Sequence, residues 1–144
     1  MGIDLEARVR RSFARQGYTA TLGAELVHVA AGEVDIAVPF SERLTQQDGY
    51  LHAGLVAGAL DSACGYAALT TMAVETEVLT VEFKINLLAP ATGERLVARG
   101  RVLRSGRTLT VCRGDAVTIS DGREQHVATL TATMIAISFR TRAG

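Results

Sequence analysis

The most informative side chain for chemistry is Asp61, the only formally charged residue in the run from Ala53 to Met72. An ionised carboxylate in an apolar helix is costly unless it gains partners or opens onto a cavity. A cavity-facing acid has its proton affinity tuned by its surroundings, which suits a general base or a nucleophile. The alternative is an aspartate that faces solvent or bonds to nearby backbone. Just ahead of it, Gly49-Tyr50-Leu51-His52-Ala53-Gly54 marks the mouth of the helix. Backbone N–H groups there have no acceptor within the helix, and an N–H aimed at an acyl oxygen under attack stabilises the charge that develops on it. Glycine beside it allows a substrate near the backbone, and His52 reads equally as an ordinary capping or packing residue. His52 and Asp61 are nine residues apart, roughly 13 Å along a helix and about half a turn out of phase. One helix cannot aim both at one atom. Two antiparallel copies related by a twofold axis can, so the spacing favours a composite site in a dimer.

The elements that must position these residues follow from periodicity. Leu5, Val9 and Phe13 recur every four residues among Asp4, Glu6, Arg8, Arg10 and Arg11, which predicts an amphipathic helix over about 3–16, stopped by Gly17. From Tyr18 to Phe40 two strand-like runs flank Ala31-Gly32, with Val34, Ile36, Val38 and Phe40 on one face of the second. A polar loop over Ser41 to Leu51 enters the long run Ala53 to Met72, which predicts a helix buried on nearly all sides. Beyond it Leu79, Val81, Phe83, Ile85 and Leu87 alternate with Thr80, Glu82, Lys84 and Asn86. Three further strands are predicted near Leu96 to Arg104, Thr108 to Ser120 and His126 to Ser138. They are joined by reversals at Ser105-Gly106-Arg107 and Asp121-Gly122. Short reversals make antiparallel neighbours, and a curved antiparallel sheet wrapped about the apolar helix supplies most of its cover, the rest coming from a second subunit.

The bulk numbers bound the reading. A chain of 144 residues fits one domain, here 1–144 with a core over about 18–138, and 48% apolar against 21% charged residues places it among globular proteins. Basic and acidic residues balance at 15 each, so no overall field draws it to nucleic acid or an anionic membrane. Three glycines, several hydroxyls and Asp61 argue against the long apolar run being a membrane span. Cys64 and Cys112 sit in apolar segments and suggest buried thiols rather than a disulfide. The opening residues lack the pattern of a secretory signal, which makes the cytoplasm the expected location. No Cys/His spacing for zinc, Gly-x-Ser-x-Gly element or glycine-rich phosphate loop is present. His28 and His126 read as sheet residues.

The Gly49–Gly54 segment followed by Asp61 resembles the His-Gly-Gly element and downstream acid of the hotdog-fold thioesterases of the phenylacetate-degradation (PaaI-like) type, and Leu87-Leu88-Ala89-Pro90-Ala91 resembles that family's strand and turn after the helix. The resemblance covers roughly residues 40 to 138. It implies an α+β hotdog fold, a long central helix wrapped by a curved antiparallel sheet of five to six strands with a short N-terminal helix. It implies hydrolysis of acyl-coenzyme A thioesters to a free carboxylic acid and coenzyme A, with coenzyme A entering only as part of the substrate and no other cofactor or metal, in a homodimer or homotetramer. By the same resemblance Asp61 activates water or attacks the thioester, and the Ala53 N–H is the oxyanion donor. Gln46 orients the carbonyl or the water and Thr80 helps to position water. The basic turn Arg104-Ser105-Gly106-Arg107 lies near the coenzyme A phosphates, as arginine chemistry suits. Ala53 departs from the commoner glycine; the backbone donor survives, but substrate clearance is put in doubt. Two bland readings stand beside these, Thr80 on a solvated sheet face and the arginines on an exposed hairpin. The rivals are a hotdog dehydratase or hydratase using His52 and Asp61 as a proton-transfer pair, and a noncatalytic acyl-coenzyme A binding domain. The acyl group is not readable, since pocket depth depends on the directions of Leu55, Leu60, Tyr66 and Leu69.

Overall fold

In a computed structural model, which describes residues 4–138, the chain runs α1 (Leu5–Arg15), α2 (Gly17–Leu22), β1 (Glu25–Ala30), β2 (Glu33–Pro39), a 3-10 turn (Glu42–Leu44), α3 (Ala53–Leu69), β3 (Thr76–Leu87), β4 (Arg95–Ser105), β5 (Leu109–Ser120) and β6 (Arg123–Ser138). The helix start expected at residue 3 lies outside the described residues. All six strands join one antiparallel sheet in the order β1-β2-β4-β5-β6-β3. The sheet curls around α3, as expected of the hotdog architecture.

Alternation sets the inner face. Val34, Ile36 and Val38 of β2, Leu96 and Ala98 of β4, and Ala128, Leu130, Ala132 and Met134 of β6 are all buried against Leu55, Val56, Ala59, Leu60, Ala63 and Ala67 of α3. Helix and sheet meet closely at Gly100 of β4, where a Cβ would stand 2.7 Å from the Cys64 nitrogen, so only glycine fits there without displacing backbone. Cys64 and Cys112 are buried and unpaired.

The N-terminal helix is capped by the Asp4 side chain, which accepts from the Ala7 N–H at 3.0 Å, and its Val9 is fully buried. Arg8 is also buried. Its guanidinium donates to the carbonyls of Leu69 and Met72 at 3.1 and 2.9 Å, of Ala73 and Val74 at 2.8 and 3.4 Å, and of Thr76 at 2.8 Å. It thus satisfies carbonyls left over at the end of α3 and fixes the entry into β3.

Three expectations are corrected. The stretch from Tyr18 is helical through Leu22, ended by Gly23 at φ 66° with its N–H on the Ala20 and Thr19 carbonyls, so the first strand begins only at Glu25. The long helix stops at Leu69, where Thr70 caps it with its hydroxyl on the Ala67 carbonyl. The alternation of β3 is broken by a bulge between Thr80 and Glu82. Ahead of it Val78 and Thr80 pair with Ala136 and the buried Met134; after it Phe83, Ile85 and Leu87 pair with the buried Ala132, Leu130 and Ala128. Paired residues share a face, so the inner face carries even-numbered residues before the bulge and odd-numbered ones after it. Leu79 is thereby turned outward.

Candidate active site

Helix α3 is not covered all round. Beyond its exposed first two residues, Ala57, Gly58, Asp61, Ser62 and Gly65 are half-buried while every other residue to Leu69 is buried. Their spacing of three and four residues makes one stripe of small side chains along the helix, with the acid in its middle. From Gly58 onward this stripe forms the floor of a cleft of about 540 Å³ walled by Ser12, Arg15, Gln16 and Tyr18 from the N-terminal helices and by Glu77, Val78 and Thr80 from β3, with Tyr66 at its far end.

Thr80 donates its hydroxyl to Asp61 Oδ1 at 2.7 Å. The bulge produces this contact by rotating Thr80 off the polar face that its neighbours Glu82 and Lys84 share. Thr80 is exposed but borders the cleft, where its hydroxyl holds one carboxylate oxygen of Asp61. The rest of the cleft is held by side-chain bonds from α1. Gln16 Nε2 donates to the Tyr66 hydroxyl at 2.9 Å, and Gln16 Oε1 accepts from Ser62 at 3.2 Å. Tyr18 has its phenol pKa raised, first by burial and then by the negative charge of Asp61.

A second cleft, of about 440 Å³, lies at the start of α3, lined by Gln46, Tyr50, Leu51, Ala53, Val56, Leu87, Leu88, Pro90 and Val127 among others. The loop ahead of the helix is folded back on itself, with the Gln46 N–H on the Tyr50 carbonyl at 2.8 Å and Gln46 Oε1 accepting from the N–H groups of Asp48 at 2.5 Å and Tyr50 at 3.3 Å. That fixes the Gln46 amide with its nitrogen uncommitted among the described residues. His52 is the N-cap, its Nδ1 accepting from the Gly54 N–H at 2.8 Å. This is the capping reading of His52; it lines neither cleft. With Gly54 taken up by the cap, the Ala53 N–H is the first-turn donor that meets no acceptor among the described residues.

The sequence-derived residues thus fall into two groups within one chain. Asp61 and Thr80 meet in the first cleft, and Gln46 and Ala53 line the second. Arg104, Gly106 and Arg107 line neither: they form the exposed β4–β5 turn, closed by the Gly106 N–H on the Leu109 carbonyl at 2.8 Å and set beside the end of α3 by a 3.2 Å bond from Ser105 to Thr71. Of the side chains expected to set pocket depth, only Tyr66 reaches the Asp61 cleft, since Leu55, Leu60 and Leu69 are buried and line neither cleft. Ser12, Arg15, Gln16 and Tyr18 were not singled out by the sequence. The hydrogen bonds of Ser12 and Gln16 to α3 span 46 to 54 residues of chain and Tyr18 meets Gly58; no local pattern announces such contacts.

Other nucleophiles are unsuited. Burial pushes both thiols up, Cys112 to about 11, so neither is a thiolate at neutral pH. His28 and His126 sit on the sheet surface with Glu33 and Asp115, at 2.8 and 2.9 Å. Among the described residues no three His, Cys, Asp or Glu side chains gather to hold a metal ion, and no helix is long and apolar enough to cross a membrane.

An acid fixed in a cleft on the central helix of a hotdog fold, together with a free N–H at that helix's start, defines a class of thioester hydrolases. The sequence profile of the thioesterase superfamily matches residues 48–125, and the chain belongs to that family. Among solved structures it is similar to a thioesterase family protein from Silicibacter pomeroyi, 50% identical with a TM-score of 0.92 over 94% of this chain and 99% of that one. It also shares its fold with the E. coli PaaI protein of the phenylacetic acid degradation operon, 16% identical, TM-score 0.84, over 93% and 94% of the two chains. Its sequence is similar to a Saccharolobus solfataricus protein provisionally named an esterase, 34% identical over 62% of this chain and 64% of that protein. Similarity extends to the medium/long-chain acyl-CoA thioesterase YigI of E. coli K12, 28% identical over 58% and 60%. The chain thus spans just under two thirds of the length of either of these two relatives.

Proposed function

We propose that this thioesterase hydrolyses acyl-coenzyme A, and that each of its sites is built by two subunits. The observation that carries the reading is the division of the chemistry, Asp61 held by Thr80 in one cleft and the free Ala53 N–H in another, along a single edge strand. β3 ends the sheet order with one side unpaired among the described residues, and Leu79, Val81, Phe83 and Leu87 on it are 42 to 54% exposed. A long apolar edge strand invites another strand. Antiparallel pairing of two β3 strands about their middle sets the start of one beside the end of the other, because the twofold axis exchanges them. The Asp61 cleft borders the start of β3 at Val78 and Thr80, and the Ala53 cleft borders its end at Leu87. The pairing therefore joins each acid to the helix start of the other chain.

In such a site the thioester oxygen accepts from the Ala53 N–H and the Gln46 amide, and the Asp61 carboxylate of the other chain either takes a proton from the attacking water or attacks the carbonyl carbon itself. By either route the C–S bond breaks, an oxygen from water ends in the carboxylic acid, and a proton goes to the coenzyme A sulfur. Arg104 and Arg107, exposed and without ion-pair partners among the described residues, are suited to the coenzyme A phosphates. The acyl-coenzyme A class is supported by the similarity to YigI. The test is the release of free thiol from a panel of acyl-coenzyme A esters by wild type and by Asp61→Asn. The expected result is turnover by the wild type and a loss of about 10²–10⁴-fold in the variant. Full activity in the variant contradicts the assignment.

A further inference from the structure

The cleft around Asp61 has a sharp boundary on one side. Along α3 its floor takes in Gly58, Asp61, Ser62, Gly65 and Tyr66, but neither Ala57 nor Gly54, although both of these are uncovered by the sheet. The side chain that ends the floor is Tyr18. The hydroxyl edge of its ring lies against Gly58, where a Cβ would stand 2.7 Å from Tyr18 Cε1 and 2.9 Å from Cζ, with the phenol oxygen nearer still. The missing side chain at Gly58 is what lets an aromatic ring from α2 lie across the helix, one turn before the acid. At the opposite end the floor is closed by Tyr66, whose hydroxyl is tied to Gln16. Tyr18 is itself 45% exposed, so it lies at the surface of the cleft rather than in the core.

We infer that Tyr18 is a specificity-determining residue, a stop laid across the helix at Gly58 that limits the size of the acyl group lodged beside Asp61. The inference rests on the acyl-coenzyme A reading above and deepens it. Removing the ring joins the Asp61 cleft to the uncovered stretch over Ala57 and Gly54, and a longer or bulkier acyl group gains room in that direction. Ring carbons share the seat with the phenol oxygen, so the bulk of the side chain, rather than hydrogen bonding by its hydroxyl, sets the stop. Tyr18 lies outside the core, so its replacement leaves the packing around α3 in place.

The experiment measures kcat/KM over a series of straight-chain acyl-coenzyme A esters of increasing length for wild type, Tyr18→Phe, Tyr18→Leu and Tyr18→Ala, with a thermal melt of each. Tyr18→Ala is expected to move the optimum to longer chains, raising the long-to-short ratio of kcat/KM by about tenfold, the usual scale for a pocket that gains or loses a few methylenes. Tyr18→Leu should fall between, and Tyr18→Phe should keep the wild-type profile. A Tyr18→Ala profile within about twofold of wild type, in folded protein that still hydrolyses the panel, overturns the inference and leaves the function standing. A shift in Tyr18→Phe as large as that in Tyr18→Ala overturns it as well, since size would not be the cause. Absence of wild-type hydrolysis across the panel is a different failure, that of the acyl-coenzyme A reading itself.

Discussion

The two clefts along β3 are made of unlike material. The one around Asp61 is walled by hydroxyls, an amide and charged side chains from α1, α2 and β3, and its carboxylate is held by Thr80. The one at the start of α3 is walled mostly by apolar side chains and the tight Gln46–Tyr50 loop, and its asset is a backbone N–H. The first can hold and direct a negative charge; the second can receive one as it forms. Ala53 and Asp61 stand eight residues apart on α3, roughly two turns, so under the proposed reading the two surfaces close on one carbonyl only across two chains. The difference teaches why this fold would need a neighbour for its chemistry as well as for covering an exposed edge strand.

That contrast can be broken from the second cleft. Ala53→Pro removes the proposed donor and almost nothing else. The position is the first of the helix, where proline is at home, and His52 already has the extended conformation, φ −62° and ψ 139°, that a following proline requires. Hydrolysis should fall by about 10²–10³-fold with the fold intact, as read by steady-state kinetics and a melting curve. Unchanged kcat would show that the helix start is not the oxyanion donor. A structural substitution tests the frame beside the first cleft, where Arg8 ties the end of α3 to the entry into β3. Arg8→Ala strands the carbonyls that close α3 and lead into β3, and should cost about 3 kcal/mol in denaturant unfolding. A smaller cost would mean that water replaces the guanidinium. Thr80→Val keeps the shape of a β-branched residue and removes the bond to Asp61, with kcat expected to drop about tenfold. A change in KM alone would make Thr80 a binding residue rather than one that orients the acid.

Much of this was legible in the chain because it is local. Alternation revealed β2 and β3, the glycine-containing reversals marked the β4–β5 and β5–β6 turns, and an aspartate alone in an apolar run pointed at the first cleft. What was not legible depends on contacts far apart in sequence. Gly17 to Leu22 carries two threonines and a tyrosine, and reads as a strand; it is a helix because Thr19 and Leu22 are buried in that conformation and Gly23 ends it. The bulge at Val81 has no signature in a run that alternates without a break, yet it turns Thr80 toward Asp61. The place of β3 beside β6 at the far edge follows from wrapping the sheet around α3, not from order along the chain.

The most direct measurement is subunit complementation. Asp61→Asn and Ala53→Pro chains, each nearly inactive alone, are co-expressed or dissociated and mixed, and thioester hydrolysis is followed against each parent. If every site takes its acid from one chain and its donor from the other, half of the randomly formed dimers are mixed and each has one intact site, restoring about a quarter of wild-type activity. If mixing is verified and activity stays at the level of the parents, acid and donor act within a single chain and the shared site is wrong.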